Sequence, residues 1–468
     1  MGDSKSILDQ AAAYGRVFRE KTRPLHPTAS AVELRQAFCV PLPDEGSAPE
    51  DVINDLIAAA EPGLVGNTAP GFYAWVMGGS APVGVAADWL TSVWGQNAGI
   101  YQTSPAAAIA EECVSGWLLE LLDLPRESSV GFVTGATMAT FVGLAAARSE
   151  VLARAGYDFE ALGLQGVPKI HVFFSDDVHV ANLTALRHIG LGESNFVRIA
   201  SNAEGLMDVG VLTTEMSSHE GPKIVIAQAG HINSGGFDDM ATISALCRKH
   251  DAWMHVDGAF GLWARALPEK SDLAQGTDLA DSWSVDGHKW LQIPYDSGFA
   301  IVRDSNAHRR AMDTTAGYLN QAPEDGRSPT EFVPGLSRRA RGFAAWAVLR
   351  SFGRVGVQEI VRRHCLAAQR LAGQLSDVDG LKVANVVHLN QVVIEPDGAA
   401  GDEDRLMALL AERVNQSQNV FLKTAQWKNR TVLRVSVIST DTDVRHIDDL
   451  ARLIRTAWAE VSGLPSMA

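Results

Sequence analysis

Cations are in short supply, cysteines are few and scattered, and long apolar runs are missing. Lysine and arginine number 40 against 55 aspartates and glutamates, for a net charge of −15. That balance argues against a nucleic-acid partner, because holding a phosphate backbone needs clustered Lys and Arg. The one dense basic patch, "SRRARGF" (337–343), runs straight into an apolar helical stretch. Cys39, Cys113, Cys247 and Cys365 are far apart and form no C-x-x-C pair. Neither a zinc site nor a disulfide framework is expected, and a reducing cytoplasm fits. No apolar stretch reaches the length of a membrane span, and "MGDSKSILDQ" has no signal-peptide core. No membrane partner is expected. The absence of a short-period repeat argues against a solenoid.

What is present is an ordinary folded composition, 46% hydrophobic and 20% charged, with 42 glycines for many tight turns. A chain of 468 residues exceeds one simple core and suggests a large domain with smaller additions. Residues 1–65 read as a helical arm: "SKSILDQAAAYGRVFREK" has helical spacing and "APEDVINDLIAAAE" opens with Pro and an acidic turn. From about residue 85, helices such as "PAAAIAEECVSGWLLELLDL" and "HVANLTALRHIG" alternate with short apolar strands. The strands are "VGFVTG", "KIHVFFSD", "KIVIAQAG", "AWMHVDGA", "LADSWSVDGHK" and "SGFAIVRD". This alternation predicts an α/β domain over 66–344 with a largely parallel sheet and ligands at the strands' carboxyl ends. A long helix after "SRRARGF" and the strands "LKVANVV", "QVVIEP" and "TVLRVSVI" predict a smaller α+β domain over 345–468.

Four features fall at strand ends of the large domain. "TGATMA" (134–139) is a small-residue turn opening a helix, able to cradle an anion on free N–H groups, with the Thr137 hydroxyl in addition. His179 follows "HVFF", where a helix-entry role competes with a catalytic one. Asp257 ends an apolar strand and needs a partner there, since unpaired burial of a carboxylate is costly. A protonated heterocyclic nitrogen would suit. Lys289, in "SVDGHKWLQIPYD" (284–296), stands in a segment that otherwise reads as interior. Either its stem packs while the ammonium reaches water, or burial makes its amine an available nucleophile. An anion cradle, an imidazole, a strand-end Asp and a strand-end Lys together form the set that a pyridoxal phosphate site requires.

"HVDGAFG" followed by "ADSWSVDGHKW" resembles the group II pyridoxal-phosphate-dependent amino-acid decarboxylases, the family of the aromatic-amino-acid and glutamate decarboxylases. "YQTSPAAAIAEECVSGWLLELLDLP", "GATMATFVGLAAAR" and "RRARGFAAWAVLRSFGRVG" match it in the same order. The resemblance implies a fold-type-I transferase-like α/β architecture. Its mostly parallel, seven-stranded-type central sheet has helices on both faces, and a smaller α+β C-terminal domain follows. It also implies a homodimer with the active site at the subunit interface. Lys289 would carry the cofactor as an aldimine, Asp257 would keep its ring nitrogen protonated, and His179 would stack on its face. Gly135, Ala136, Thr137, Ala259, Asp286 and His288 would complete the cofactor site. Trp75, in "FYAWVMGGSAP", and Tyr101 would line the substrate side. The implied reaction takes an L-amino acid, aromatic or hydrophobic given the aromatic content of 72–101, to its amine through a quinonoid.

The chain also departs from the family. The segment aligned with the family's mobile loop, "EDGRSPTEFVPGLS" (324–337), has no tyrosine, and Phe332 is its only aromatic residue. A Tyr-to-Phe exchange in that loop favours oxidative decarboxylation-deamination to an aldehyde. Tyr318, just upstream, is the substitute acid. "AQAGHINSGGFDD" places His231 and Asn233 where the family has threonines, so His231 becomes a candidate substrate contact. Aldehyde synthesis, transamination and a non-catalytic pyridoxal-phosphate-binding protein stand as alternatives. Trp75, Trp89 and Trp94 fall in a stretch where helical core packing is the default. His250 and His255 read as packing or surface residues. Arg338, Arg339 and Arg341 either bind an anion or form a domain-junction cluster of ion pairs.

Overall fold

Five- and six-residue runs of apolar side chains, bounded by Gly, Asp and Asn, build most of the central sheet. The computed structural model describes residues 4–21, 24–313, 326–398 and 402–463. The strands are β1 (Ser129–Val133), β2 (His171–Ser175), β3 (Phe196–Ile199), β4 (Lys223–Gln228), β5 (Trp253–Asp257), β6 (Ser282–Asp286) and β7 (Gly298–Val302). Their order is β1-β7-β6-β5-β4-β2-β3. All run the same way except β7, which is antiparallel to both β1 and β6. β4, β5, β6 and β7 are buried at every position, as a sheet covered on both faces must be. Helix Ala136–Arg154 packs across β5, β6 and β7. The other face meets a core that includes Leu118, Ile243, Trp263 and Val348.

A second, antiparallel sheet follows: β8 (Leu381–Val383), β9 (Gln391–Pro396), β10 (Lys423–Trp427) and β11 (Arg430–Ser436), ordered β10-β11-β9-β8. Helices Glu403–Asn415 and Val444–Ser462 bury their apolar stripes on it, with Met407, Leu410, Ile447 and Ile454 in one core. The two bodies share helix Arg341–Leu375, which bends at Gly353 (φ 60°, ψ −179°). The expected 344/345 boundary falls inside this helix, so no loop marks it. Two strands have no counterpart among the expected ones. β3 is half-exposed at the sheet edge, and β10 carries polar residues at most positions, so neither shows an apolar run.

The arm forms helices Ser4–Glu20, Ala31–Phe38 and Pro49–Ala60. Ser30 and Glu33 close a reciprocal capping box on the second of these. Neither the second nor the third buries a residue. The core-packing expectation for the tryptophans is corrected here. Helix Pro82–Trp94 lies on the surface, leaving Trp89 45% and Trp94 49% exposed, with Leu90 and Val93 also open. Trp75 is exposed as well, in a non-helical turn at φ 56°. Helical spacing identifies an apolar face but not what covers it. Among the described residues, no helix is long and apolar enough to cross a membrane.

Candidate functional site

The carboxyl ends of β1, β2, β4, β5 and β6 open on one edge of the large sheet, where open α/β sheets hold ligands. Asp257 is the last residue of β5 and sits opposite Gln228 of β4 in parallel register. Asp286 ends β6, and Lys289 follows in the next turn. The Lys289 Nζ lies 2.8 Å from Asp286 Oδ2. The same carboxylate accepts from the Ala136 backbone N–H at 2.6 Å through Oδ1, which also lies 3.3 Å from His288 Nε2. Asp286 therefore caps the N-terminus of helix Ala136–Arg154 and neutralises the lysine at once. Gly135 makes this convergence possible: a Cβ there would stand 2.9 Å from His288 Cε1 and 3.2 Å from Asp286 Oδ1. Thr137 is exposed at the same helix end.

His288 Nδ1 accepts from Ser297 N (3.2 Å), and its ring stacks on Tyr295 at 4.3 Å. Burial lowers the His288 pKa against the opposing charge of Asp286. Burial, with the charge of Asp286, pushes the Tyr295 phenol up to about 12. The Lys289 turn is held from outside. Gln292 donates to the Lys289 and Ile438 carbonyls (2.9 and 2.8 Å) and accepts from Gly79 N (2.8 Å). A Cβ at Gly78 would collide with the carbonyl oxygens of His288 and Lys289. Trp290 Nε1 donates to His364 Nδ1 at 3.0 Å, and His364 Nε2 reaches the Ser439 carbonyl, also at 3.0 Å. Tryptophan beside the lysine thus ties it to the long shared helix.

On the other side, Asp257 Oδ1 accepts from Ala259 N (3.2 Å) and Oδ2 from Asn182 Nδ2 (2.7 Å). No Lys, Arg or His forms an ion pair with it among the described residues. His179 caps helix Val180–His188 through Nδ1, and its backbone N–H donates to Gln228 Oε1 (3.3 Å). Burial lowers the His179 pKa, opposed by the charge of Asp257 and assisted by those of Lys289, Arg434, and His231. The neutral imidazole is thus favoured. Arg434 enters from β11 with its guanidinium on Asn233 Oδ1 (3.0 Å) and the Ile232 carbonyl (3.3 Å). Burial draws its pKa down to about 10, and no carboxylate pairs with it among the described residues.

Gly135, Ala136, His179, Asp257, Ala259, Asp286, His288 and Lys289 thus converge. Other expected residues do not join them. His231 is fully buried, with Nε2 3.2 Å from Asp177 Oδ2 and Nδ1 accepting from the Asn233 and Ser234 N–H groups at 3.3 Å. Both ring nitrogens are engaged in holding a loop. Phe332 is likewise engaged within the fold. Its carbonyl accepts from His308 Nε2 at 2.9 Å and its ring lies 3.7 Å under the Arg327 guanidinium, against β1. Tyr101 packs beside Gly326, and Trp75 rests near Phe72 and Phe421. Tyr318 lies outside the described residues. The three arginines are ion-paired: Arg338 with Glu111, Arg339 with Asp88 and Arg341 with Asp296.

The unmet needs of this edge define its occupant. Asp257 is a carboxylate without a cation, and Gln228 Nε2 is a buried donor without an acceptor among the described residues. A helix N-terminus holds an anion, and an amine stands beside it. A phosphorylated, protonated heterocycle bearing an aldehyde answers each one, so the residues fit pyridoxal phosphate.

Comparison with known proteins agrees. The family model described as the pyridoxal-dependent decarboxylase conserved domain matches residues 32–395. An aromatic-L-amino-acid decarboxylase of Bacillus atrophaeus is 25% identical over 94% of this chain and 92% of its own. A 4-hydroxyphenylacetaldehyde synthase of Rhodiola rosea is 27% identical over 98% of this chain and 95% of its own. Among solved structures, Oryza sativa TDC with PLP and tryptamine superposes with a TM-score of 0.91 at 24% identity, covering 98% of each chain.

Proposed function

The chain belongs to the pyridoxal-dependent decarboxylase family and is a pyridoxal-phosphate-dependent carboxy-lyase acting on an amino acid, and from that premise we propose that its substrate is an aromatic or hydrophobic L-amino acid. The observation that carries the proposal is the segment of Phe72 and Trp75, on which Trp75 stays 47% exposed while Phe72 packs in a small core against Phe421. Gly78 and Gly79 of the same segment press against the Lys289 turn. The names of the relatives in Bacillus and Rhodiola support the same class.

When bound, pyridoxal phosphate supplies a protonated ring that accepts the electron pair freed as the substrate's Cα–carboxylate bond breaks. The chain's own groups divide the remaining work. Helix Ala136–Arg154 offers its free N–H groups to the phosphate, with His288 beside them. Asp257, which no cation pairs among the described residues, would hold the ring nitrogen's proton. Asp286 holds Lys289 Nζ at 2.8 Å, beside the place the cofactor's aldehyde would take. Neutral His179 bounds the site from β2 without adding a charge. Arg434 presents a desolvated cation to the carboxylate that every amino-acid substrate carries.

Trp89, Leu90, Val93 and Trp94, with the unburied arm helices, support a homodimer whose interface borders this edge. The test is an incubation of the pyridoxal-phosphate-loaded protein with a panel of L-amino acids, quantifying carbon dioxide, amine, ammonia, peroxide and keto acid. Carbon dioxide with equimolar amine from aromatic or hydrophobic members is expected. Carbon dioxide with ammonia, peroxide and aldehyde would move the outcome to aldehyde synthesis, as the Rhodiola relative is named. Keto acid without carbon dioxide would indicate transamination. No product, with unperturbed cofactor absorbance, would favour a binding protein.

A further inference from the structure

The geometry points to Asn182 as the residue that positions Asp257 for the cofactor's ring nitrogen, an inference that rests on the pyridoxal phosphate reading above. Asn182 stands in the first turn of helix Val180–His188 and is 0% exposed. Its Nδ2 donates to Asp257 Oδ2 at 2.7 Å and to the His179 carbonyl at 3.3 Å. Both neighbours are acceptors, so the amide orientation is set by chemistry: only the NH2 end can face them. Oδ1 is left without a partner among the described residues. A fully buried amide that leaves its oxygen unpaired in order to aim its nitrogen has been placed for the nitrogen.

A neutral donor at this position has a specific consequence. Lysine or arginine would hold the Asp257 carboxylate as firmly, but would cancel its charge. Asn182 and the Ala259 N–H orient the carboxylate and leave its charge available to a cationic ring nitrogen. The charged and titratable groups around it, His255 on its own strand, His179 on the helix cap, Asp286 at the end of β6 and Lys289 beyond it, and Arg434 and His231 from other elements, make no hydrogen bond to it. Because Asn182 also bonds the His179 carbonyl, one side chain fixes the relation between the imidazole and the carboxylate.

The test compares pyridoxal phosphate with its 1-deaza analogue, whose ring has carbon in place of the nitrogen, on wild-type protein and Asn182→Leu. Dissociation constants are measured by titrating apoprotein, so the readout does not depend on turnover. Leucine keeps the volume and removes the donor. The expected result is about tenfold weaker binding of pyridoxal phosphate, or about 1.4 kcal/mol, with less than about twofold change for the analogue. The kcat of Asn182→Leu should fall more than its KM rises. Equal losses for both ligands, or no loss for either, would overturn the inference. Asn182→Ala repeats the comparison should the leucine variant fail to fold. Failure of wild-type protein to bind pyridoxal phosphate would instead strike the reading beneath it.

Discussion

Replacing Asp286 with asparagine should tighten the hold on pyridoxal phosphate. The wild-type carboxylate already occupies the helix N-terminus, 2.6 Å from Ala136 N, and is itself almost fully buried. A phosphate drawn to the same N–H groups meets an anion there. Two oxygens that both lie within hydrogen-bond reach of one N–H are no more than about 6 Å apart. At that separation two unit charges repel by roughly 3 kcal/mol for an effective dielectric of 20. The carboxylate can turn from Ala136 while keeping His288, so about half of this, near tenfold in affinity, is the expected gain. The free state changes in the same direction, because Lys289 Nζ loses the carboxylate that holds it at 2.8 Å. Titration of apoprotein with pyridoxal phosphate, followed by tryptophan fluorescence, measures the effect, and inorganic phosphate should compete more strongly in the variant. Unchanged or weaker binding by Asp286→Asn would refute the reasoning. Asp286 would then hold the cofactor site together rather than contest it.

Lys289→Ala should abolish the visible absorbance of the bound cofactor and lower turnover at least about a hundredfold, the lower end of what a positioned acid–base group contributes; full activity would remove the lysine from the mechanism. Stability should fall with acid. Burial holds His308 and His364 down to about 3, below the value near 6.5 of an unfolded histidine. Their neutral burial is therefore without penalty above about pH 6.5. Between there and about pH 3 the unfolded chain takes up protons that the folded chain refuses, by up to about 1.4 kcal/mol per pH unit for each histidine. His364→Gln keeps an acceptor for Trp290 and a donor for Ser439 but does not titrate. Denaturant unfolding across that range should show a shallower slope in this variant, and an unchanged slope would exclude His364 as a contributor.

The parts of the site that were legible in the sequence are those whose residues are costly where they stand. Asp257 ends an apolar strand and Lys289 stands three residues past the end of another, and a buried charge there asks for a partner. The small residues of 134–139 signal a close approach, and Gly135 makes one. Asn182, Gln228, Gln292 and Arg434 were missed, although all but Gln292 left a trace. Asn182 lies three residues after His179 on one helix, Gln228 ends an apolar strand as Asp257 does, and Arg434 breaks the apolar alternation of "TVLRVSV". What hid them is that each serves a neighbour distant in the chain. Asn182 and Asp257 are 75 positions apart, and only the sheet's strand order brings them together.

Two other expected residues stand apart from this convergence for the converse reason. His231 and Phe332 carry chemistry-bearing or aromatic side chains in loops, where sequence alone suggests a ligand. In the fold their polar atoms and ring are already engaged, by Asp177 and backbone N–H groups for one and by His308 and Arg327 for the other. A side chain with all its partners inside the protein has none left for a substrate. The same accounting separates the two acids at the heart of the site. Asp286 has Lys289, His288 and Ala136, and is satisfied before any cofactor arrives. Among the described residues Asp257 has two neutral donors and no cation paired with it. A cationic ring nitrogen therefore has one place to go, and the difference between the two aspartates, more than the presence of either, gives the site its direction.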